Sequence, residues 1–429
     1  MLISIEELYS IYLEHRIISI DSRQIMPGSL FFALKGDNFD GNKYAGIALE
    51  AGSAYAVIDN EAYAGNKTLL VNNVLDALQK LALMHRRKLN IPVVAITGSN
   101  GKTTTKELIN AVLSQQYSVT ATLGNLNNHI GVPLTLLRVA EETRIAIIEM
   151  GANHQLEIAQ LCQLAEPTHG LITNIGKAHL GGFGGYEGVI KAKNELYYWL
   201  RNSEGTVFVN SGNPLLMELT SSMKRILYGK DEGVQTRGTT RDNSSTLELD
   251  WFSGNEIITL QTNLVGNYNF ENVMAAICLG TFFDVPQDKI KSAINSYQPT
   301  NSRSQAMKTA KNSIILDAYN ANPTSMQLAI ENFSQEKAHP KMVILGDMLE
   351  LGEESPAEHL AIVNLVKDSG FERVVFVGPD FKSVANDKFR CFDNSDKALE
   401  WLQQEHIKDH TILVKGSRGI KMEKVLDAL

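Results

Sequence analysis

The stretch of this chain with the most definite chemistry is a run of glycine, lysine and threonine at residues 97–105, which reads Thr-Gly-Ser-Asn-Gly-Lys-Thr-Thr-Thr. An apolar, β-branched run at 91–96 predicts a buried strand before it, and apolar residues at helical spacing predict a helix through residue 113. A glycine turn in this setting lets backbone N–H groups and a helix N-terminus face an anion. Lys102 can then reach the β- and γ-phosphates of a nucleotide, and the Thr103 hydroxyl can bind Mg²⁺. The alternative is a glycine turn that only caps an ordinary helix.

Two more polar side chains follow predicted strands. Glu149 ends the apolar run at 144–149, where a carboxylate of a nucleotide-binding sheet can meet the metal. The alternative is a glutamate that caps a helix. His179 lies in a glycine-rich loop after the predicted strand at 171–174, which favours an active-site position over a structural one.

A lysine is also found on the apolar stripe of the predicted helix at 187–200. Lys193 shares that stripe with Ile190, Leu196 and Tyr197. A lysine at an inward helical position either extends its ammonium to water or serves a function. The residues alone slightly favour the first alternative.

The composition excludes several classes of protein. The chain has 429 residues, 44% hydrophobic and 21% charged, which suits a globular protein of about three domains. The net charge of −8 argues against nucleic acid as the main partner. Three widely spaced cysteines predict neither a disulfide framework nor a zinc site, and they favour a reducing cytoplasm. The N-terminus lacks a signal-peptide pattern, and no run of apolar residues is long enough to span a membrane.

The predicted fold class is α/β with three domains, at residues 1–83, 84–297 and 298–429. The first is a small α/β unit with strands at 29–34 and 54–58, in which Asp21-Ser22-Arg23 resembles a common surface turn. The second is the nucleotide-binding unit, which has a mostly parallel sheet and a β-hairpin within 246–260.

The third unit is predicted to begin near residues 297–300 and to have a Rossmann-like parallel sheet. Its strands alternate with helices and are expected at 314–316, 342–345, 374–377 and 412–414. It carries no Gly-x-Gly-x-x-Gly, so a nicotinamide cofactor is not expected. Charged residues follow several of these strands, at the sheet edge where ligands bind.

Several longer motifs, taken with the glycine loop, resemble those of the Mur ligases, ATP-dependent amide ligases that build the peptide of the peptidoglycan precursor. The loop at 97–105 lacks the opening glycine of the common phosphate-loop motif, as the loop of that family does. The other matching motifs lie at 124–135, 149–154, 317–323, 345–352 and 415–418. They are most similar to the member that adds D-alanyl-D-alanine to UDP-N-acetylmuramoyl-tripeptide. The resemblance therefore implies these two substrates, an acyl-phosphate intermediate, and closure of the third unit on the second.

The resemblance also implies roles for individual residues. Those expected to bind ATP are Gly98, Ser99, Asn100, Gly101, Lys102, Thr103, Thr104, Asn272 (adenine), Arg303 (phosphate) and Asp317 (ribose). Two Mg²⁺ ions are expected, with the ligands Thr103, Glu149, His179 and a carbamylated Lys193. The catalytic residues would be Lys102, Lys193, Glu149 and His179. The UDP-sugar would contact Asp21, Ser22, Arg23 and Asp40. The remaining substrate contacts would be Asn127, Asn128, Asn320, Asn322, Lys415, Ser417 and Arg418.

The match to the Mur ligase motifs is incomplete at three positions. Asn42, Tyr268 and Gly185 stand where the family commonly has histidine, histidine and serine, respectively.

Two alternative functions would each leave a motif in the sequence. A sibling ligase that adds a diamino acid would carry Asp-Asn-Pro-Arg in the third unit, and a GTPase switch would carry Asn-Lys-x-Asp; neither motif occurs. A cytoplasmic monomer with no nucleic-acid partner is expected, and the third residue of the tripeptide stays open.

Overall fold

The computed structural model describes residues 2–241, 246–299, 303–385 and 388–429. Sheets of four, nine and six strands, each packed with helices, follow one another along the chain. The predicted α/β class with three units is therefore confirmed. The predicted boundary near 297–300 lies partly outside the described residues. So does part of residues 231–255, a polar stretch to which the sequence assigns no role.

The first unit contains a parallel sheet in the order β1-β2-β5-β6 and a small ribbon, β3–β4. Its helix α1 begins with a capping box, because the Ser4 hydroxyl accepts the Glu7 N–H and the Glu7 carboxylate accepts the Ser4 N–H. The elements are α1 (Ile5–Glu14), β1 (Ile18–Ser19), β2 (Leu30–Phe32), β3 (Lys35–Gly36), β4 (Phe39–Asp40), α2 (Ala45–Glu50), β5 (Tyr55–Ile58), β6 (Thr68–Leu70) and α3 (Val74–Lys88).

The helix α3 joins the first two units. It packs against α1 and β2 and also against helices of the second unit, to which its buried Arg86 side chain donates at the carbonyls of Ala165 and Glu166. A domain boundary after residue 83 would fall inside this continuous helix.

The central unit has nine strands in the order β15-β14-β13-β12-β11-β10-β7-β9-β8, all parallel except the β13-β14-β15 edge. Its elements are β7 (Val93–Thr97), α4 (Lys102–Leu113), β8 (Val119–Ala121), α5 (Gly131–Leu137), β9 (Ile145–Glu149), α6 (Glu157–Ala165), β10 (His169–Ile172), α7 (Leu180–Phe183), α8 (Tyr186–Asn202), β11 (Thr206–Asn210), α9 (Pro214–Leu219), β12 (Arg225–Gly229), β13 (Thr236–Arg241), β14 (Thr246–Ser253), β15 (Glu256–Val265), α10 (Phe270–Phe282) and α11 (Gln287–Ser296). The predicted hairpin is present as β14–β15, with a two-residue turn at Gly254 and Asn255.

The strand order explains why distant motifs meet. β7 lies between β9 and β10, and all three strands run parallel. Their carboxyl ends therefore share one edge of the sheet, where α/β proteins bind ligands. The glycine loop after β7, Glu149 at the end of β9 and Thr173 after β10 are neighbours for this reason.

The third unit has six strands in the order β16-β17-β21-β18-β19-β20, and only β16 is antiparallel to its neighbour. The sequence prediction missed the two edge strands, β16 and β20. The elements are β16 (Gln305–Lys308), β17 (Ser313–Asp317), α12 (Pro323–Ser334), β18 (Lys341–Gly346), α13 (Ser355–Asp368), β19 (Arg373–Val377), α14 (Pro379–Val384), β20 (Arg390–Phe392), α15 (Ser395–Glu405) and β21 (Thr411–Lys415).

The second and third units are in contact. The Lys177 N–H donates to the Thr324 hydroxyl (3.1 Å), and its ammonium pairs with Glu358 (2.5 Å). The Asn267 N–H donates to the Asn332 side chain (3.1 Å). Among the described residues, no helix combines the length and the apolar character needed to cross a membrane.

Candidate active site

The glycine loop between β7 and α4 has the geometry of a phosphate-binding loop. Gly98 and Gly101 have φ angles of +144° and +78°, which side chains rarely adopt. A Cβ at Gly101 would lie 2.5 Å from Asn272 Oδ1, and one at Gly98 would lie 2.0 Å from Thr173 Oγ1. Glycine is therefore required at both positions. The loop places the N-terminus of a twelve-residue helix at the sheet edge.

The Lys102 ammonium lies over this loop, where it donates to the carbonyls of Gly98 (2.7 Å) and Ser99 (3.1 Å). Burial lowers the pKa of Lys102 to about 8, while Glu149 opposes the decrease and Arg303 adds to it. An anion on the loop would favour the charged form of Lys102, as a phosphate-binding lysine requires.

The Glu149 carboxylate is held beside the first turn of α4. It accepts hydrogen bonds from the Thr103 hydroxyl (3.1 Å) and the Asn127 amide (2.9 Å), both at Oε1. Its Oε2 is buried without a hydrogen-bond partner, and the Lys106 ammonium lies 3.8 Å away. The prediction of a carboxylate at a strand end is therefore correct, and the helix-cap alternative is wrong. Asn127, predicted as a substrate contact, donates to Glu149.

This pair fits a Mg²⁺ site of the nucleotide-binding kind. Mg²⁺ in such sites takes one or two protein oxygens, and phosphates and water complete the octahedron. Thr103 Oγ1 and the unpartnered Glu149 Oε2 supply oxygens of the required type. Within the described residues, no three or more histidine, cysteine, aspartate or glutamate side chains form a group that could hold a metal ion by itself. A Mg²⁺ ion here would therefore need phosphate and water oxygens as well.

The other two predicted metal ligands lie further along the same edge. His179 has a left-handed backbone conformation at the start of α7, and its Nδ1 contacts the Glu350 carboxylate of the third unit. That contact lowers the pKa of Glu350. Lys193 lies on α8, only 2% exposed, with its ammonium 5.2 Å from the centre of the Phe183 ring.

The buried position of Lys193 contradicts the prediction that it extends its ammonium to water. Among the described residues, no carboxylate oxygen lies within 4.0 Å of that ammonium. Burial, with a smaller contribution from the nearby Lys102 charge, lowers the pKa of Lys193 to about 7. A substantial fraction of neutral amine is therefore present near neutral pH.

The third unit supplies a second wall of the site. Asp317, at the end of β17, accepts the Ser304 N–H (3.2 Å) and pairs with the buried Lys415 ammonium (2.5 Å). The Asn322 amide donates to Asn100 Oδ1 of the glycine loop (2.7 Å). Asn322 also caps α12, so this contact connects a helix of the third unit directly to the phosphate loop.

A cavity of about 800 Å³ opens between these two walls. Most of the predicted site residues line it, namely Ser99, Asn100, Gly101, Lys102, Thr103, Thr104, Asn127, Asn128, Glu149, His179, Asn272, Arg303, Asp317, Asn320, Asn322 and Lys415. Asn272 is fixed at the loop end of this cavity, since it accepts from the Thr105 hydroxyl (3.0 Å) and donates to Asn269 (2.9 Å).

The remaining predicted site residues do not line the cavity. Gly98 and Lys193 are not among its lining residues, and Asp21, Ser22, Arg23 and Asp40 belong to the first unit. Arg23 forms a bidentate pair with Asp21 in an exposed turn, as the pattern of the residues predicts. The Ser417 hydroxyl is buried between the Leu349 N–H and the Ala321 carbonyl, and Arg418 is exposed.

Asn174, Lys106, Glu350 and Tyr319 are among the residues that contact or line the site and were not predicted from the sequence. Asn174 fixes the glycine loop, because its side chain pairs with both the N–H (3.0 Å) and the carbonyl (3.1 Å) of Asn100. Its position just after β10, at the sheet edge where ligands bind, could have identified Asn174 from the sequence. Lys106 and Glu350 gave no such signal, because their roles depend on contacts between segments far apart in the chain. Tyr319 gave none because its contact with Arg303 depends on the pairing of β16 with β17.

Models of three Mur ligase domains match the chain. They are the Mur ligase family catalytic domain over residues 14–93, the Mur ligase middle domain over 96–280, and the Mur ligase glutamate ligase domain over 302–418. Together they cover most of the chain in the order that the three sheets follow.

Characterised relatives and solved structures agree with these matches. The UDP-N-acetylmuramoyl-tripeptide--D-alanyl-D-alanine ligases of Bacillus subtilis and Escherichia coli are 35% and 34% identical over 96% of this chain, which covers 92% and 93% of theirs. A crystal structure of MurF from Acinetobacter baumannii has a TM-score of 0.86 at 30% identity, covering 96% of this chain and 92% of the other. The Thermotoga maritima MurF ligase in complex with ADP has a TM-score of 0.85 at 26% identity, covering 97% of each chain.

Proposed function

Because the chain belongs to the Mur ligase family, we propose that it is the ATP-dependent ligase that joins D-alanyl-D-alanine to the terminal carboxylate of UDP-N-acetylmuramoyl-tripeptide, in peptidoglycan precursor synthesis. The observation that carries this proposal is a cavity lined both by the phosphate loop of the central unit and by strand-end side chains of the third. The names of the relatives that match nearly the whole chain support these two substrates.

The reaction follows from the weak electrophilicity of a carboxylate. An oxygen of the tripeptide carboxylate attacks the γ-phosphorus of ATP, ADP leaves, and an acyl phosphate forms. The amine of D-alanyl-D-alanine then attacks the acyl carbon and loses a proton, and phosphate leaves with one oxygen of the original carboxylate. The transfer of the phosphoryl group depends mainly on positioning and on charge neutralisation.

Residues of both units provide these two functions. The loop N–H groups and Lys102 would hold the β- and γ-phosphates, and Arg303 would contact phosphate from the opposite wall. Asn272 would contact the adenine and Asp317 the ribose. The donors from Thr103 and Asn127 hold the Glu149 carboxylate in place for this role.

Thr103 and Glu149 would hold one Mg²⁺, and His179 with a carbamylated Lys193 would hold a second. Bound there, Mg²⁺ supplies positive charge to the phosphate oxygens and brings the two anionic reactants together. His179 contacts Glu350 in the structure, so binding of a metal by His179 requires that contact to rearrange.

The carbamate on Lys193 is supported by its surroundings. A neutral amine reacts with carbon dioxide to form a carbamate and release a proton, which turns a lysine into a carboxylate-like ligand. Lys193 is buried, has a lowered pKa and lacks a carboxylate partner among the described residues. These are the conditions that favour the neutral amine.

The remaining assignments follow the family resemblance. The UDP-sugar would bind the first unit at Asp21, Ser22, Arg23 and Asp40, and the dipeptide would lie near Asn320, Asn322, Lys415, Ser417 and Arg418. We retain three domains at residues 1–83, 84–297 and 298–429, with α3 shared between the first two. A monomer and a cytoplasmic location stay predictions.

We also propose that the third unit closes on the second during the reaction, which would exclude water from the acyl phosphate. The bond between Asn322 and Asn100 and the pair between Lys177 and Glu358, both present in the structure, would stabilise the closed state. Small-angle scattering with and without nucleotide and substrates tests this closure. Identical scattering profiles would contradict it.

The function is tested by phosphate release from ATP with UDP-N-acetylmuramoyl-tripeptide, with and without D-alanyl-D-alanine. We expect release that requires both substrates and a pentapeptide product in the mass spectrum. Turnover with the UDP-linked dipeptide and a diamino acid instead would assign the chain to the sibling ligase. Hydrolysis that needs neither substrate would favour a nucleotide-driven switch.

A further inference from the structure

Arg303 is stacked on an aromatic ring inside the cavity. Its guanidinium carbon lies 3.6 Å from the centre of the Tyr319 ring, close enough for direct face contact. Arg418 approaches the same ring at 5.7 Å. Tyr319 follows β17, two residues after Asp317, and both Arg303 and Tyr319 line the cavity.

This contact leaves the hydrogen-bonding edge of the guanidinium available. A guanidinium donates only in its own plane, so a ring against its face occupies none of its five N–H groups. Arg303 Nε is buried without a hydrogen-bond partner. Among the described residues, no carboxylate oxygen lies within 4.0 Å of the Arg303 guanidinium. The Tyr319 ring can therefore orient Arg303 and leave its N–H groups free. A carboxylate that oriented Arg303 would occupy those N–H groups.

We propose that Tyr319 is a positioning residue, whose ring holds the Arg303 guanidinium with its donor edge directed at the polyphosphate of the nucleotide. This inference rests on the proposed function, since it assumes that ATP occupies the cavity. The ring face makes the contact, so the phenol hydroxyl has no part in it. Tyr319→Phe should preserve the contact, and Tyr319→Leu should abolish it.

The primary test measures ATP binding, which does not depend on ligation. Isothermal titration calorimetry with ATP and Mg²⁺ compares the intact protein with Tyr319→Leu and Tyr319→Phe. We expect Tyr319→Leu to weaken ATP binding by about tenfold, from the strength of a partly desolvated cation–π contact, and Tyr319→Phe to bind as the intact protein does. Thermal unfolding of both variants verifies that each is folded.

A double-mutant cycle with Arg303→Met separates positioning from general loss of structure. If Tyr319 acts through Arg303, then Tyr319→Leu has no further effect on ATP affinity in the Arg303→Met background. An equal loss in both backgrounds would overturn the proposal, as would unchanged ATP affinity in Tyr319→Leu or a tenfold loss in Tyr319→Phe.

Steady-state kinetics distinguish this inference from the proposed function. In the ligation assay, Tyr319→Leu should raise KM for ATP and leave KM for D-alanyl-D-alanine within twofold. If the intact protein binds ATP but forms no pentapeptide, the proposed function fails, while the calorimetric cycle still decides the role of Tyr319.

Discussion

Replacing Lys193 by methionine should abolish ligation and at the same time make the protein more stable. Methionine has a similar length and fills the same buried space on α8, but it carries no charge and cannot form a carbamate. Lys193 is 2% exposed, and its ammonium lies near the Lys102 charge. The intact protein therefore keeps an ionisable group where an apolar one would be more stable.

The size of the effect follows from the pKa of Lys193, which burial lowers from 10.5 to about 7. Each tenfold change in proton affinity is worth about 1.4 kcal/mol, so below pH 7 the buried ammonium destabilises the fold by about 5 kcal/mol. This cost decreases as the pH rises, because the amine is neutral in both folded and unfolded states above pH 10.5. We expect an advantage for Lys193→Met of roughly 4 kcal/mol at pH 7 and roughly 2 kcal/mol at pH 9.

The assay is urea unfolding in buffer free of carbon dioxide, at pH 7 and pH 9. Lys191→Met, on an exposed face of the same helix, is the matched control and should change stability by less than about 0.5 kcal/mol. Added bicarbonate should stabilise the intact protein and leave Lys193→Met unchanged. Equal stability of the intact protein and Lys193→Met, or a difference that does not vary with pH, would refute the reasoning.

Activity provides a second, independent check of the same residue. Lys193→Ala should lose nearly all ligase activity, and short carboxylic acids should restore part of it by occupying the position of the carbamate. Full activity in Lys193→Ala would exclude the carbamate from the reaction.

Three further results are expected. Gly101→Ala should lower kcat/KM for ATP by roughly 100-fold, because its Cβ would lie 2.5 Å from Asn272 Oδ1 at a φ of +78°; kinetics within threefold of the intact protein would contradict this. Burial lowers the pKa of His169 from 6.5 to about 4, so the unfolded chain binds a proton at a higher pH than the folded protein does. The neutral imidazole therefore costs no stability above pH 6.5, and the fold loses stability as the pH falls from 6.5 through 4. His169→Phe should therefore resist acid unfolding better, by roughly 2 kcal/mol after discounting for solvent screening, and equal urea midpoints at pH 4 would argue against that. Asn322→Ala removes the 2.7 Å bond to Asn100 and should raise KM for ATP about fivefold, with an unchanged KM as the contrary result.

The sequence predicted those parts of the site that follow from local pattern. The strand, glycine turn and helix around Lys102 are adjacent in the chain, so their arrangement depends on little else. Glu149 could be placed because a carboxylate at the end of a buried parallel strand meets the same sheet edge as the loop.

Contacts between distant segments could not be predicted in this way. The stripe of α8 indicated that Lys193 faces inward, yet its burial depends on how α7 and the sheet pack around it. Arg303 precedes β16 and Tyr319 follows β17, so their stacking depends on the antiparallel pairing of an edge strand that was not predicted from the sequence. The edge strands β16 and β20 are short and partly exposed, so they lack the apolar run that marks a buried strand.

The most direct test of the proposed reaction follows the oxygen atoms of the tripeptide carboxylate. UDP-N-acetylmuramoyl-tripeptide labelled with oxygen-18 at its terminal carboxylate is incubated with ATP, Mg²⁺ and D-alanyl-D-alanine, and the released phosphate is analysed by mass spectrometry. An acyl-phosphate path predicts one oxygen-18 in each phosphate, in amounts equal to the pentapeptide formed. Unlabelled phosphate would contradict the account, because it would mean that ATP is hydrolysed by water.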